Sequence, residues 1–332
     1  MTQHIQHGGA VDAMREQFPH APLPWIDLST GINPWPYKAS NLDPALLARL
    51  PLCEDDDACR SAMAAAWGVA RSALLVAPGS ELLIRLLPFV VSARRVAILS
   101  PTYGDHAHAW RRAGAEIVET DDPLRHANRV DAVVVCNPNN PDGRTFTASE
   151  LHAAHKTLRH RGGWLIIDEA YADLDPGLSL AASGGDDGLI ILRSFGKFFG
   201  LPGLRLGAFM APPAVRCAMA EMLGVWPVSG AALQIGTSAY RDLAWHETTR
   251  GRLAQARASL DAQLTAAGLS VIGGTSLFAY VRVSDATLVW ECLAQGGIYA
   301  RRFQGSETRL RIGLPRGRDA EARLAAALTL LS

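Results

Sequence analysis

The sequence lacks an excess of charge of either sign. Lysine plus arginine number 32, aspartate plus glutamate also number 32, and the formal net charge is zero. Surfaces that bind nucleic acid or an acidic membrane carry a basic excess. We therefore expect neither partner, and a small molecule is the kind of ligand that this composition favours.

Long apolar runs, an apolar signal core near the N-terminus and paired cysteine motifs are also missing. The longest apolar run, residues 82–91, is broken by Arg85 and Pro88 and is too short to span a bilayer. The five cysteines are odd in number and scattered, and Cys53 and Cys59 lack the second pair of a zinc site. We expect a cytoplasmic protein with reduced cysteines and no metal site.

What the sequence does contain is a regular alternation of strand-like and helix-like segments. The 332 residues, 48% of them hydrophobic, are typical of a globular protein with two domains. Short Val/Ile/Leu-rich runs separated by helical segments predict an α/β fold with a mainly parallel sheet covered by helices. We predict an N-terminal arm (residues 1–36) that packs on the small domain or the active site, a large domain (37–225) and a smaller α+β domain (226–332).

Polar clusters follow three successive predicted strands of the large domain. They are residues 137–143 (Asn-Pro-Asn-Asn-Pro-Asp-Gly), residues 168–171 (Asp-Glu-Ala-Tyr) and the loop that contains Lys197. Turn chemistry alone explains the first cluster, and a helix cap explains Asp168. Because ligands of parallel sheets lie beyond the carboxyl ends of the strands, the three clusters together predict a binding site.

Lys197 has the surroundings of a reactive amine. It lies among Phe195, Phe198 and Phe199, and partial loss of solvation favours the neutral, nucleophilic amine that forms Schiff bases. Taken alone, the segment is more typical of a surface lysine in a glycine-rich loop. The residue types around it decide between the two interpretations.

These residue types match what a planar, phosphorylated pyridine aldehyde requires. Asp168 can keep a pyridine nitrogen protonated, and Tyr103 can stack on the ring. Asn140 and Tyr171 can bind the phenolic oxygen. The groups suited to the phosphate are the Gly79–Ser80 turn, Ser194 and Arg205. An ordinary helix cap explains Ser80 equally well.

Five motifs, in this order, resemble the fold-type-I pyridoxal-phosphate-dependent aminotransferase superfamily of class I and II. They are Pro-Thr-Tyr (101–103), the segment 137–143, Asp-Glu-Ala-Tyr (168–171), Ser-x-x-Lys (194–197) and Gly-Leu-Arg-Leu-Gly (203–207). The resemblance implies pyridoxal 5'-phosphate as cofactor, a seven-stranded large domain and a homodimer. It also implies that Lys197 holds the cofactor as a Schiff base and that Asp168 and Tyr103 complete the catalytic set.

The N-terminal residues resemble those of one branch of the superfamily. His-Gly-Gly (7–9) and Ile-Asp-Leu-Ser-Thr-Gly-Ile-Asn-Pro (26–34) are similar to the L-threonine-O-3-phosphate decarboxylases of cobalamin biosynthesis. That resemblance implies decarboxylation of threonine phosphate to (R)-1-amino-2-propanol O-2-phosphate. It implies that Arg311 binds the substrate carboxylate, and that the other substrate residues are His7, Gly8, Asn33 and Arg301.

Two alternatives remain open on the sequence alone. A histidinol-phosphate-type aminotransferase using 2-oxoglutarate or glutamate would share the cofactor residues, and serine phosphate is a second substrate that the residues fit. The chain also departs from the superfamily at two places. Gly196 replaces a serine that precedes the lysine in many relatives, and Leu50 replaces the tyrosine that reaches the cofactor phosphate of the neighbouring subunit in histidinol-phosphate aminotransferases.

Overall fold

The computed structural model of the chain describes residues 7–39 and 42–330. Residues 1–6 of the predicted arm and residues 331–332 of the predicted small domain lie outside the described residues. The strands are β1 (Ile26–Leu28), β2 (Leu74–Ala77), β3 (Arg95–Leu99), β4 (Glu116–Thr120), β5 (Ala132–Cys136), β6 (Trp164–Asp168), β7 (Leu189–Ser194), β8 (Gly207–Met210), β9 (Ser270–Thr275), β10 (Phe278–Arg282), β11 (Ile298–Arg302) and β12 (Arg309–Gly313). The α-helices are α1 (Val11–Gln17), α2 (Ala45–Ala48), α3 (Cys53–Trp67), α4 (Ser80–Val90), α5 (Asp105–Arg112), α6 (Ala148–His160), α7 (Pro213–Leu223), α8 (Gly230–Arg241), α9 (Leu243–Ala266), α10 (Ala286–Gln295) and α11 (Arg318–Thr329).

One compact unit comprises residues 36–140 and 144–245 and is built on a seven-stranded sheet. The strand order is β2-β8-β7-β6-β5-β3-β4, and only β8 runs antiparallel to its neighbours. Strands β5 and β6 are almost wholly apolar and buried, as parallel strands covered on both faces must be. The predicted α/β fold with a mainly parallel sheet is confirmed.

The other compact unit comprises residues 1–35, 141–143 and 246–332. Its five-stranded sheet has the order β1-β11-β12-β10-β9, with β1 parallel to β11 and the remaining pairs antiparallel. Strand β1 comes from the N-terminal segment, so the predicted arm contributes a strand to this sheet. The predicted domain boundaries stay a prediction; helix α8, predicted in the small domain, packs against α3 in the seven-stranded unit.

The sequence does not indicate helix α7 or strand β9, each for a local reason. Helix α7 begins at Pro213. The Pro212-Pro213 pair is typical of a loop, although proline is also well suited to the first position of a helix. Strand β9 contains Gly273 and Gly274, which are poor strand formers. Within residues 7–39 and 42–330, no helix is long and apolar enough to cross a membrane.

Candidate active site

A cavity of about 240 Å³ opens at one edge of the seven-stranded sheet. Strands β3, β5, β6 and β7 are parallel, and β2 points the same way because two antiparallel steps through β8 separate it from β7. The carboxyl ends of all five strands therefore meet at this edge. The predicted cofactor residues that line the cavity are Gly79, Ser80, Tyr103, Asn140, Asp168, Tyr171, Ser194, Lys197 and Arg205. All nine predicted residues are thus brought together.

One end of the cavity is a cradle of hydrogen-bond donors. Gly79, with φ 86° and ψ 165°, precedes helix α4, whose first-turn N–H groups have no partner within the helix. A Cβ atom at position 79 would lie 2.8 Å from Nη2 of Arg205, so only glycine leaves the guanidinium in place. The Ser194 hydroxyl lines the same cavity. Helix N–H groups, a hydroxyl and a guanidinium form a set that suits a phosphate.

The Asp168 carboxylate is buried and held by three donors. Its Oδ2 lies 3.0 Å from Nε2 of His106 and 3.6 Å from Sγ of Cys136, and its Oδ1 accepts the N–H of Ala170 at 3.0 Å. Burial raises the pKa of the Cys136 thiol well above its ordinary value, and the Asp168 charge raises it further, so the thiol keeps its proton and donates. The carboxylate therefore has one fixed orientation toward the cavity that it lines.

His106 and Cys136 support Asp168 in the candidate site, and the residue pattern did not indicate either of them. Cys136 is the register partner of Asp168 on the neighbouring parallel strand, which puts the two side chains on the same face. His106 lies on α5, three residues after Tyr103, and is almost fully buried. A buried histidine just after a site tyrosine is the one local signal that could have indicated it.

Lys197 follows β7 in a loop walled by aromatic rings. Phe195 and Phe199 stack at 4.3 Å between centroids, and Phe198 is buried beside them. Lys197 itself is half-buried, and its Nζ lies 6.0 Å from the centre of the Tyr171 ring. The packed rings thus support the loop, and the loop brings one amine into the lining of the cavity.

The hydroxyl of Tyr103 belongs to a second network that the sequence did not reveal. It donates to Oε2 of Glu81 at 2.8 Å, and Arg85 bonds both Glu81, at 2.6 Å, and Asp105, at 3.1 Å. Burial raises the pKa of Tyr103, and the Glu81 and Asp105 carboxylates raise it further. The hydroxyl therefore stays protonated and anchors the ring at the cavity.

A buried ion cluster behind the cavity ties the Asp168 segment to strand β7. The Arg193 guanidinium donates to Oε2 of Glu169 at 2.8 Å and also to Asp173, and it lies 4.6 Å from the Trp67 ring. Burial disfavours the charged form of Arg193, but Asp173 and Glu169 outweigh burial and raise its pKa. Arg193 therefore keeps its charge, and its hydrogen bonds to Glu169 and Asp173 fix residues 168–173 against β7.

The structure gives a physical reason for one of the two departures from the superfamily. A Cβ atom on Gly196 would lie 2.9 Å from Cα of Pro202, so the loop that follows Lys197 leaves no room for a serine there. Gly196 has no side chain, so its backbone atoms line the cavity. Leu50 is 58% exposed.

The five predicted substrate residues belong to the five-stranded unit. Arg311 is buried and donates from Nη2 to the backbone oxygen of Ser29 at 2.6 Å. Arg301 and Arg311 are register partners across strands β11 and β12. Asn33 is buried, and its Oδ1 accepts the N–H of Trp35 at 2.8 Å.

The other two predicted substrate residues, His7 and Gly8, open the described part of the arm. The backbone oxygen of His7 lies 3.5 Å from the Tyr299 hydroxyl, and Gly8 is in contact with Ser29. The structure thus places all five residues on one unit, where His7, Gly8, Arg301 and Arg311 lie around strands β1, β11 and β12.

The residues of the cavity fit a phosphorylated pyridine aldehyde. The donor cradle at Gly79 suits a dianion, the fixed Asp168 carboxylate suits a protonated ring nitrogen, and Lys197 supplies an amine for an aldehyde. Asn140 and the protonated Tyr103 complete the polar lining. The fit rests on the glycine-dependent position of Arg205 and on the oriented carboxylate.

Comparison with known proteins agrees with this fit. A family model described as aminotransferase class I and II matches residues 41–328. Threonine-phosphate decarboxylases of Pseudomonas aeruginosa and a Sinorhizobium species are 40% and 39% identical, over 98% and 99% of this chain and 97% and 98% of theirs. A histidinol-phosphate aminotransferase of Shewanella amazonensis is 31% identical over 82% of this chain and 79% of its own.

A solved structure shares the fold at lower identity. The histidinol-phosphate aminotransferase of Sinorhizobium meliloti, in complex with pyridoxal-5'-phosphate, superposes with a TM-score of 0.78 at 20% identity, over 97% of this chain and 94% of that one.

Proposed function

Since the chain belongs to the class I and II aminotransferase family, we propose that it is a pyridoxal-phosphate-dependent lyase. Its reaction is the decarboxylation of L-threonine O-3-phosphate to (R)-1-amino-2-propanol O-2-phosphate, in cobalamin biosynthesis. The observation that carries the proposal is 40% identity to a threonine-phosphate decarboxylase over nearly the whole of both chains. The histidinol-phosphate aminotransferase is less similar and covers less of the chain.

The cavity residues would hold the cofactor at three points. The Gly79–Ser80 turn, Ser194 and Arg205 bind its phosphate, Asp168 keeps its ring nitrogen protonated, and Lys197 holds its aldehyde carbon. When bound, the cofactor supplies an electron sink for the pair released from a broken bond at Cα.

The chain's own residues also handle the proton and the ring. Asp168 can hold a proton on the ring nitrogen because His106, Cys136 and Ala170 keep its carboxylate oriented. The Lys197 amine lines the cavity, where it would carry a proton to Cα of the product. The buried Phe195 and Phe199 rings stack on each other and hold the loop that carries this amine.

Two different sets of groups would grip the substrate. Arg311 binds the carboxylate, whereas Arg301 and the arm residues bind the phosphate. Holding both ends of the substrate would fix which bond at Cα is presented for cleavage, and in the decarboxylase that is the bond to the carboxylate. An aminotransferase would instead present the Cα–H bond, so the grip on the two ends is what separates the two reactions.

Product analysis tests the proposal. Purified protein is incubated with pyridoxal phosphate and threonine phosphate, with and without 2-oxoglutarate, and carbon dioxide and the amine are measured. We expect both products at equal rates in the two mixtures. Amine that forms only with the keto acid, with glutamate as second product, would identify an aminotransferase and refute the decarboxylase.

We also propose a cytoplasmic homodimer. The five cysteines are all free, which supports a reducing compartment. Leu47, Leu50 and Leu52 are 71%, 58% and 46% exposed, and large apolar side chains so close together support a contact with a second copy. Light scattering should give twice the chain mass, and Leu47→Glu with Leu50→Glu should give the single mass.

A further inference from the structure

Ser29 occupies a junction of the five-stranded unit. It directly follows β1, where Leu28 is the register partner of Ala300 on β11. The next residue of β11, Arg301, is in turn the register partner of Arg311 on β12. Ser29 is fully buried at the point where the arm and the two arginine-bearing strands meet.

The side chain of Ser29 connects the arm to β1. Its Oγ donates to Oδ1 of Asp27 at 2.6 Å and accepts the N–H of Gly9 at 2.8 Å. The Ser29 N–H also donates to Oδ1 of Asp27, at 2.8 Å. Because the hydroxyl proton is donated to Asp27, an oxygen lone pair faces the N–H of Gly9. The donor and the acceptor of each of these three hydrogen bonds are therefore defined.

The backbone oxygen of Ser29 connects the same residue to the arginine. It accepts a hydrogen bond from Nη2 of Arg311 at 2.6 Å. A Cβ atom at position 8 would lie 2.5 Å from this same oxygen and 2.8 Å from the Ser29 hydroxyl. Gly8 therefore packs directly on the group that orients Arg311, and a side chain at position 8 would push that oxygen away from the guanidinium.

We propose that Ser29 is a positioning residue for substrate binding. It holds the Gly8–Gly9 segment and Arg311 in one fixed relation, so that the arm and the arginine engage one substrate together. The inference rests on the proposed function, in which Arg311 and Gly8 bind threonine phosphate. It adds the residue that makes their positions interdependent, and Asp27 as the group that orients Ser29.

The test compares four variants of the cofactor-loaded protein. Ser29→Ala removes the hydrogen bond to the arm. Asp27→Ala removes the carboxylate that orients the Ser29 hydroxyl, and because Asp27 is exposed, this substitution affects folding less. Asp27→Asn keeps an acceptor oxygen. Ser270→Ala makes the same chemical change at an exposed site of the same unit. The measurements are kcat and KM for threonine phosphate, the visible absorbance, and hydrogen exchange of residues 7–18 without substrate.

A buried hydrogen bond lost on one side is enough to change affinity about 10-fold or more. We expect Ser29→Ala and Asp27→Ala to raise KM by about this factor with a smaller change in kcat, with unchanged visible absorbance and faster exchange of the arm. Asp27→Asn should have a KM and an exchange rate near those of the wild type, and so should Ser270→Ala.

Ser29→Ala with wild-type KM, or with a loss of kcat alone, would overturn the inference. If the wild-type protein does not decarboxylate threonine phosphate, the proposed function fails and the exchange data decide. Faster exchange in Ser29→Ala and Asp27→Ala but not in Asp27→Asn then supports the Ser29 junction, and unchanged exchange refutes it.

Discussion

Replacing Gly79 by alanine separates backbone strain from loss of the phosphate cradle. Gly79 precedes helix α4 with φ 86° and ψ 165°, and Gly317 precedes helix α11 with φ 84° and ψ 170°. This region of backbone space is essentially restricted to glycine, and a side chain there costs about 1–3 kcal/mol. A Cβ atom at 317 meets nothing within 4 Å, whereas one at 79 meets Arg205. Gly317→Ala is therefore a matched control for the strain.

The two substitutions should lower the free energy of unfolding of the cofactor-free protein by similar amounts, about 1–3 kcal/mol. Only Gly79→Ala should also displace the Arg205 guanidinium, the far end of a flexible side chain. A hydrogen bond to a charged group contributes about 1.5–3 kcal/mol, and the exposure of Arg205 favours the lower end, so cofactor affinity should fall about 10-fold.

Urea titration measures the first effect, and absorbance titration with pyridoxal phosphate measures the second. The reasoning is refuted if Gly317→Ala weakens cofactor binding as much as Gly79→Ala does. It is also refuted if Gly79→Ala binds the cofactor with wild-type affinity.

Three further predictions concern buried groups. Arg193→Met should lower the free energy of unfolding by about 3–5 kcal/mol, because Glu169 is left buried without its counter-charge, and wild-type urea stability would contradict this. Burial raises the pKa of Cys59 to about 12, so its contribution to stability is complete below its ordinary pKa of 9.0 and is lost as the pH rises through 12. Unfolding at pH about 8 and about 11 should then show a smaller loss in Cys59→Ala than in wild type, and equal losses would disprove the assignment. His106→Ala should weaken cofactor binding about 10-fold by releasing Asp168, and an unchanged titration would contradict that role.

The sequence predicts most of the sheet because the relevant information is local. Short apolar runs such as residues 132–136 and 189–192 predict strands without any information about which strands lie beside them in the sheet. The site residues are also predictable because parallel strands bring their carboxyl ends to one edge, so the clusters after residues 136, 167 and 193 have to meet.

The supporting contacts are not predictable in this way. His106 reaches Asp168 across 62 residues of sequence, and Arg193 reaches Glu169 across 24. Both contacts depend on how helix α5 and strand β7 pack against β6, which residue types alone do not specify. The close approach of Pro202 to position 196, which leaves no space for a side chain there, is likewise a feature of the folded loop and not of the local sequence.

Borohydride reduction tests most directly the central claim that Lys197 holds the cofactor. The sequence contains three lysines, Lys38, Lys156 and Lys197, and the first and second are exposed. Reduction of the cofactor-loaded protein fixes a Schiff base permanently, and peptide mass spectrometry then locates it. We predict one phosphopyridoxyl group on the peptide that contains Lys197 and none in Lys197→Ala. A label on Lys38 or Lys156 with Lys197 unmodified would contradict the account.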